Sequence, residues 1–406
     1  MTASRPMRIV VVHNRYRSEH PSGEDRVVDQ ETVLLAAAGH RVELFERRSD
    51  DIADMSLPEK AAVPLRVPWN PAVRSELASR LRRDRPDVVH IHSTFPLLSP
   101  SVVAACADAG VPAVATLHNY QMVCVPGTLY RDGRICTDCV GTAPIAAIRH
   151  RCYRNSAVAT VPLAVSLAAN RRRWWSGIAR FFCISSAQRQ ILVQAGMPAD
   201  RLSVKYNFVE EPGHRRSGPG EYLLYIGRLT GEKGTRLLMT AWDRLSARGG
   251  LGLPLVLAGT GPLDGELTRW AQARDDVCYL GLRTREECAE LAARAVALVA
   301  PSEWLEAFGL VVVEAMAAAV PSVAAGHGAF VELVEDGVTG LLHRPGDAES
   351  LAECLRRVVA VPERNREMGE AARRRYERDF DPAAGLAGLV AGYEAAIASP
   401  ASCEPV

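Results

Sequence analysis

Short apolar runs alternate with longer segments of helical period along almost the whole chain. That alternation constrains the fold more than any other feature. In the first half the strand candidates are Arg8–His13, Arg41–Phe45, Asp87–His92, Ala113–His118, Arg180–Ile184 and Leu202–Tyr206. In the second half they are Tyr222–Ile226, Leu255–Ala258, Val277–Leu280, Val296–Ala300, Ser322–Ala325 and Gly340–Leu342. Continuous apolar strands separated by helices predict parallel sheets buried on both faces. Two such series predict two doubly wound α/β domains, and a length of 406 residues suits that number. The stretch 210–220 is rich in Pro, Gly and charge and has no apolar period, so it reads as a linker. The expected domains are therefore 1–209 and 221–380, followed by a last helix over 381–398.

Composition removes several classes of function. The chain has 48 basic and 47 acidic residues, a formal charge of +1, so no global attraction to nucleic acid follows. No apolar run reaches the ~18 residues of a membrane span. The segment Met1–Pro6 lacks the pattern of a secretory signal. The expected compartment is the cytoplasm, where the 10 cysteines are thiols or metal ligands rather than disulfides. A nicotinamide dehydrogenase would also be doubly wound, but no G-x-G-x-x-G follows the first strand with an acidic residue ending the second.

Two segments of the second half carry chemistry. In Pro301-Ser-Glu-Trp-Leu-Glu306-Ala-Phe308-Gly309-Leu310-Val-Val-Val-Glu314, an apolar strand ends in a turn and a Phe-Gly pair precedes a helix. A helix N-terminus offers unpaired N–H groups and the positive end of a dipole, which together favour an anion. Glu306 and Glu314 beside it suit a ligand that carries hydroxyls as well as phosphates. In Gly227-Arg228-Leu-Thr-Gly-Glu232-Lys233-Gly234, Arg228 and Lys233 flank a glycine-containing turn at a strand end. Arg grips phosphate with a planar fork and Lys adds a point charge. For either residue alone a solvated turn is an equal alternative; the two segments together favour a site.

These motifs, with Gly259-Thr-Gly-Pro-Leu263, resemble glycosyltransferase family four (glycosyl transferases group 1) over nearly the whole chain. The resemblance implies the GT-B fold, two Rossmann-like domains facing across a cleft, with the last helix crossing back to the first. It implies a retaining hexosyltransferase that moves a sugar from a UDP or GDP donor to a hydroxyl of a saccharide, lipid-linked or natural-product acceptor. Arg228 and Lys233 would hold the diphosphate, Glu314 the ribose and Glu306 the sugar. Phe308, Gly309 and Leu310 would approach the donor around the helix start. Gly23, in the turn Pro21-Ser22-Gly23-Glu24-Asp25, would lie against the phosphates, although Ser22 replaces a glycine usual there. His118 matches the family's active-site histidine; a strand-end histidine bonded only to local backbone is the other reading. His13, His90 and His92 are weaker candidates. No Asp-x-Asp follows a strand, so no catalytic metal or other cofactor is expected. Other functions open to this fold are an epimerase or pseudo-transferase, or a non-catalytic partner subunit.

Two local features stand apart. Cys124, Cys136, Cys139 and Cys152 fall in one segment, about 120–155, and four thiolates at such spacing can close a structural zinc site; four unligated thiols are the alternative. Arg171-Arg-Arg-Trp174-Trp175 places basic residues beside tryptophan, which suits either a weak contact with the inner membrane face or a solvated helix end.

Overall fold

The computed structural model describes residues 5–16, 18 and 22–399. Residues 1–4, used above to judge the N-terminus, and Pro21 of the glycine turn lie outside the described residues. The chain divides into two compact units. The first holds residues 1–129, 137–206 and 385–406; the second holds 130–136 and 207–384.

Each unit is built on a six-stranded parallel sheet, as the apolar runs predict. The first sheet has the order Arg41–Arg48, Arg8–Arg15, Val88–Ile91, Ala113–Leu117, Arg180–Cys183, Leu202–Val204. The second has the order Val277–Tyr279, Leu255–Ala258, Tyr222–Ile226, Ala295–Ala300, Ser322–Ala325, Gly340–His343. The central strands are buried along their length, Ala295–Ala300 at every residue, which is why they read as unbroken apolar runs. In both sheets the order reverses beside the first strand. These are the switch points at which open α/β sheets bind ligands. In the first unit the switch lies between Arg8–Arg15 and Val88–Ile91, and in the second between Tyr222–Ile226 and Ala295–Ala300.

Three details refine this organisation. The stretch 210–220 is anchored in the second unit rather than free. Arg216 donates to Val296 O at 3.1 Å and to Asn365 Oδ1 at 2.6 Å, and Glu211 pairs with Arg373 at 2.7 Å. The antiparallel hairpin of Tyr130–Arg131 and Arg134–Ile135 groups with the second unit although the chain around it belongs to the first. The last helix, Pro382–Ala398, enters the first unit at Gly385. Its Leu389, Tyr393 and Ala396 pack in one core with Ile9, Val11, Val88 and Phe182.

Candidate active site

At the switch point of the second unit, two loops leave the carboxyl ends of neighbouring strands and pack on each other. Glu303 N donates to Glu232 O at 2.9 Å. Gly234, with φ of +72°, lies so close to the other loop that a Cβ there would sit 2.0 Å from Pro301 O. This contact brings together side chains 73 positions apart. Lys233 Nζ reaches Glu306 Oε1 at 2.6 Å, and the same oxygen accepts from Ser302 Oγ at 2.8 Å. The Lys233 ammonium also lies 4.9 Å from the centroid of the Trp304 ring. Glu306 is buried. Burial alone would raise its carboxyl, but the Lys233 charge and the hydrogen bonds to it win, so Glu306 sits below the usual carboxylate range and stays ionised.

Arg228 occupies the outer edge of the same turn. Its side chain is 64% exposed and pairs with Glu232 at only 3.6 Å, which leaves the guanidinium able to turn to an incoming anion. Beyond Phe308, Gly309 caps the helix Leu310–Ala317 with φ of +110°; a Cβ there would meet the Phe330 ring at 2.5 Å. Leu310 is the first residue of that helix and the half-buried Glu314 lies on its second turn. The Phe308 side chain is buried against Phe380, with ring centroids 6.1 Å apart.

Sequence reasoning missed the support beneath Glu306. His327 Nε2 is 2.8 Å from Ser302 O, and Ala329 N donates to Glu306 O at 3.0 Å. The turn Gly326-His327-Gly328 after the strand Ser322–Ala325 was the available signal. Gly328 lies against the Glu306 backbone, where a Cβ would come within 2.8 Å.

In the first unit, Gly23 is the first residue of the helix Gly23–Ala37, and Ser22 caps it through a reciprocal pair with Asp25. Asp25 Oδ1 lies 2.6 Å from His13 Nε2. Burial opposes ionisation of Asp25, yet the hydrogen bonds from His13 and Ser22 hold it below the usual carboxylate range. The next carboxylate, Glu24, accepts from Asn119 Nδ2 at 2.7 Å. Burial and the neighbouring Asp25 charge raise Glu24 to about 7. His118 ends the strand Ala113–Leu117 and lies 2.9 Å from His92 Nδ1 through its Nε2. Burial, reinforced by the Lys205 charge, lowers His118 to about 3, so it is a neutral imidazole at pH 7. It can orient or accept a hydrogen bond but does not arrive as an acid. His118 is thus no isolated backbone cap, because it belongs to a buried array with His92 and His90.

Among the described residues, one trio gathers potential metal-ligand atoms within 4.8 Å, namely Glu31, His90 and His92. The His90 nitrogens and one Glu31 oxygen have other partners, whereas Glu31 Oε2 and His92 Nε2 have no hydrogen-bond partner. His90 bonds Tyr393 Oη at 2.7 Å and Thr116 Oγ1 at 2.8 Å, and the Lys205 ammonium sits on Glu31. A cation already occupies the carboxylate, so the trio reads as a neutral-histidine network around an ion pair.

The four cysteines of the zinc expectation fall in different surroundings. No three of Cys124, Cys136, Cys139 and Cys152 bring their sulfurs within 4.8 Å of one another. Cys136 closes the hairpin segment that groups with the second unit, while the other three lie in the first. Cys139 is packed with Val125, Ala147 and Ala164, and burial pushes the Cys124 thiol up to about 11. The basic tryptophan cluster is also built into the fold. Arg171 Nη2 donates to Thr142 O at 2.6 Å and its guanidinium faces the Trp175 ring. Arg173 lies 4.4 Å from the Trp69 ring centroid, and both Trp174 and Trp175 are half-buried. Among the described residues no helix is long and apolar enough to cross a membrane.

Two families of sequence match this chain in succession. The family model described as Glycosyltransferase Family 4 matches residues 21–211, and that of Glycosyl transferases group 1 matches residues 210–375. The chain belongs to this glycosyltransferase family, and its two parallel sheets form the GT-B fold. Among curated relatives, glycogen synthase of Mycobacterium tuberculosis is 28% identical, covering 92% of this chain and 91% of its own. Sulfoquinovosyl transferase of Arabidopsis thaliana is 25% identical over 86% of this chain, which spans 64% of that protein's length. Among solved structures, HepE of Anabaena in complex with UDP aligns with a TM-score of 0.66 at 18% identity, covering 96% of this chain and 100% of its own. Sucrose-phosphate synthase of Thermosynechococcus elongatus aligns with a TM-score of 0.68 at 18% identity, covering 97% and 99%.

Proposed function

We propose that the protein is a retaining glycosyltransferase that transfers a sugar from a nucleoside diphosphate to an acceptor hydroxyl. The observation that carries this reading is the Lys233–Glu306 pair at 2.6 Å, set at a sheet switch point beside the helix that Gly309 opens. A lone buried carboxylate would be costly, and a lone lysine would be an unselective phosphate site. Held together, they offer a cation to the diphosphate and an acceptor oxygen to the sugar within one contact. HepE, the relative in fold that binds UDP, supports a nucleotide donor.

In the proposed reaction the bond from the anomeric carbon to the diphosphate oxygen breaks. The acceptor oxygen forms its bond on the same face, and its proton passes to the leaving phosphate. The protein needs no general base for this. Its contribution is to position the reactants and to stabilise charge as it develops on the leaving group. Lys233, Arg228 and the N-terminus of Leu310–Ala317 are placed for the second task. The first unit would present the acceptor.

The test has two arms. UDP, GDP, ADP and dTDP are compared for thermal stabilisation, since a ligand at ~100 times its Kd adds about 2.7 kcal/mol. The product anomer is then read by NMR with the donor that the stabilising nucleotide indicates. At least one nucleotide is expected to stabilise the protein, and the product should keep the donor configuration. No stabilisation by any of the four would sink the donor assignment, and an inverted product would sink the mechanism.

A further inference from the structure

In the first unit two buried polar atoms without hydrogen-bond partners lie close to each other. Glu31 Oε2 and His92 Nε2 are 3.8 Å apart, on side chains 2% and 1% exposed. The other Glu31 oxygen carries the Lys205 ammonium. His90, the second imidazole beside this carboxylate, is engaged at both nitrogens, by Tyr393 Oη at 2.7 Å and by Thr116 Oγ1 at 2.8 Å. On its far side His92 meets half-buried His118. Nδ1 of His92 lies 2.9 Å from Nε2 of His118, and the two rings are within 20° of coplanar. His118 in turn lines a cleft whose polar side chains include Glu24, Thr94 and Gln121. The remaining His118 nitrogen, Nδ1, makes no hydrogen bond with the described residues.

Removal from water keeps His92 and His118 neutral at pH 7, so each ring has one N–H and one lone pair. The bond between them uses one of each, which leaves two arrangements. Either both rings carry their proton on Nε2, or both carry it on Nδ1. A mixed pair would set two N–H groups or two lone pairs against each other. The Glu31 carboxylate decides between the two arrangements. With the proton on Nε2, His92 points an N–H toward Glu31 Oε2. With the proton on Nδ1, it points a lone pair toward that oxygen, and the repulsion acts where little water screens it. Asp25 is the competing carboxylate, because its charge also reaches His118. It pairs instead with His13 at 2.6 Å.

We propose that Glu31 is a positioning residue: through His92 it holds His118 as the Nε2–H tautomer, so that His118 offers a bare Nδ1 to a ligand hydroxyl in the cleft. The site at His118 then takes a hydrogen-bond donor. It disfavours an anion or an ether oxygen, which would bring lone pair against lone pair. This rests on the transferase reading in one respect, that the hydroxyl belongs to a substrate of that reaction.

The experiment reads the tautomers directly. The full chain carries isotope-labelled histidine, and long-range nitrogen–proton NMR near pH 7 separates protonated from bare ring nitrogens. The His118 and His92 signals are assigned by their loss in His118→Asn and His92→Asn. Both rings are expected as Nε2–H tautomers. Either ring protonated on Nδ1 overturns the proposal, and that result needs no Glu31 variant. Glu31→Gln keeps an oxygen for Lys205 and sets an amide N–H in place of Oε2, so both rings should switch to the Nδ1–H form. Unchanged tautomers in a folded Glu31→Gln would show that Glu31 does not fix them and would overturn its role. Glycerol, as a hydroxyl probe, should move the His118 Nδ1 resonance of the wild-type protein, and sulfate, which only accepts, should not. No response to glycerol, or an equal response to sulfate, overturns the hydroxyl assignment. Thermal stabilisation by UDP and GDP is measured on the same samples. A nucleotide shift with Nδ1–H tautomers removes this proposal alone. Nε2–H tautomers that switch in Glu31→Gln, without any nucleotide shift, support this proposal and remove the donor reading.

Discussion

At the scale of single residues, Arg228 and Lys233 look alike in the sequence and differ in the fold. Arg228 is largely exposed, so Arg228→Ala should leave the melting temperature unchanged and lower kcat/KM by roughly 10²–10³-fold, the scale of losing one strong charge stabiliser. Lys233→Ala should lower kcat/KM as much and also destabilise the protein by about 3 kcal/mol, because it strands the buried Glu306 carboxylate. Near-wild-type turnover in both variants would remove the diphosphate assignment. Unchanged stability in the lysine variant would show that Glu306 finds another cation. The two glutamates separate in a different way. Glu314 stands on the second turn of its helix, and a group that bonds only the ribose holds ground state and transition state alike, so Glu314→Gln should mainly raise donor KM. Glu306 shares its oxygen with Lys233 and Ser302, and a group on the reacting sugar matters most in the transition state, so Glu306→Gln should mainly lower kcat. Steady-state kinetics with varied donor check both, and exchanged effects would reverse the two roles.

At the scale of elements, the site depends on how tightly the two loops of the second unit pack. Gly234→Ala places a Cβ on Pro301 O in a left-handed conformation that alanine tolerates poorly, and such strain costs about 1–3 kcal/mol. The loops must part to admit it, and Lys233 and Glu306 part with them. A fall in melting temperature with a larger fall in kcat/KM is expected from calorimetry and kinetics. A melting temperature equal to wild type would mean that the turn relaxes without harm. The same packing explains what could be read in advance. Buried parallel strands announce themselves as apolar runs, so both sheets were legible from strands such as Leu255–Ala258 and Ser322–Ala325. The first strand was read two residues short, because its end at Arg15 is charged and satisfied by Asp29 and Glu46, partners a hydropathy pattern does not reveal. Glu306 and Lys233 were each recognisable from their motifs. Their contact was not, since it depends on strand order; Ser302 reaches Glu306 directly, and His327 supports it through the Ser302 carbonyl from a turn marked in the sequence only by Gly326 and Gly328. Cysteine spacing has a related limit: it gives the reach of a chain but not where its side chains meet, and no three of the four sulfurs gather within 4.8 Å of one another.

At the scale of the whole molecule, stability and the histidine array are linked. His90 and His92 are buried in the first unit with half-buried His118 beside them, and removal from water, with the Lys205 charge adding to it, lowers all three below their ordinary value of 6.5. The unfolded chain therefore binds protons that the folded chain refuses. The stability these groups hold is fully present above pH ~6.5 and is lost as pH falls toward the folded values, about 3 for His118. Each contributes a slope of up to about 1.4 kcal/mol per pH unit in that window. Glu24 acts with the opposite sign. Its carboxyl is raised from 4.5 to about 7, so its contribution is present at low pH and lost as pH rises through that range. One carboxyl against three histidines leaves a net loss on acidification between pH ~6.5 and ~4.5. The Tyr393 hydroxyl, carried by the last helix, is bonded to His90, so the array is also part of how that helix is held in the first unit. The melting transition of the first unit should therefore fall steeply from pH 6.5 to 4.5. His118→Asn should flatten the slope by removing one of the three groups. Tyr393→Phe should instead lower the transition by about 1–3 kcal/mol at neutral pH, by leaving the buried His90 Nδ1 without its partner. A calorimetric series in pH tests all three. A melting temperature that is flat or rising down to pH 5 would mean that the histidines are protonated in the folded state, and the neutral array would have to be abandoned.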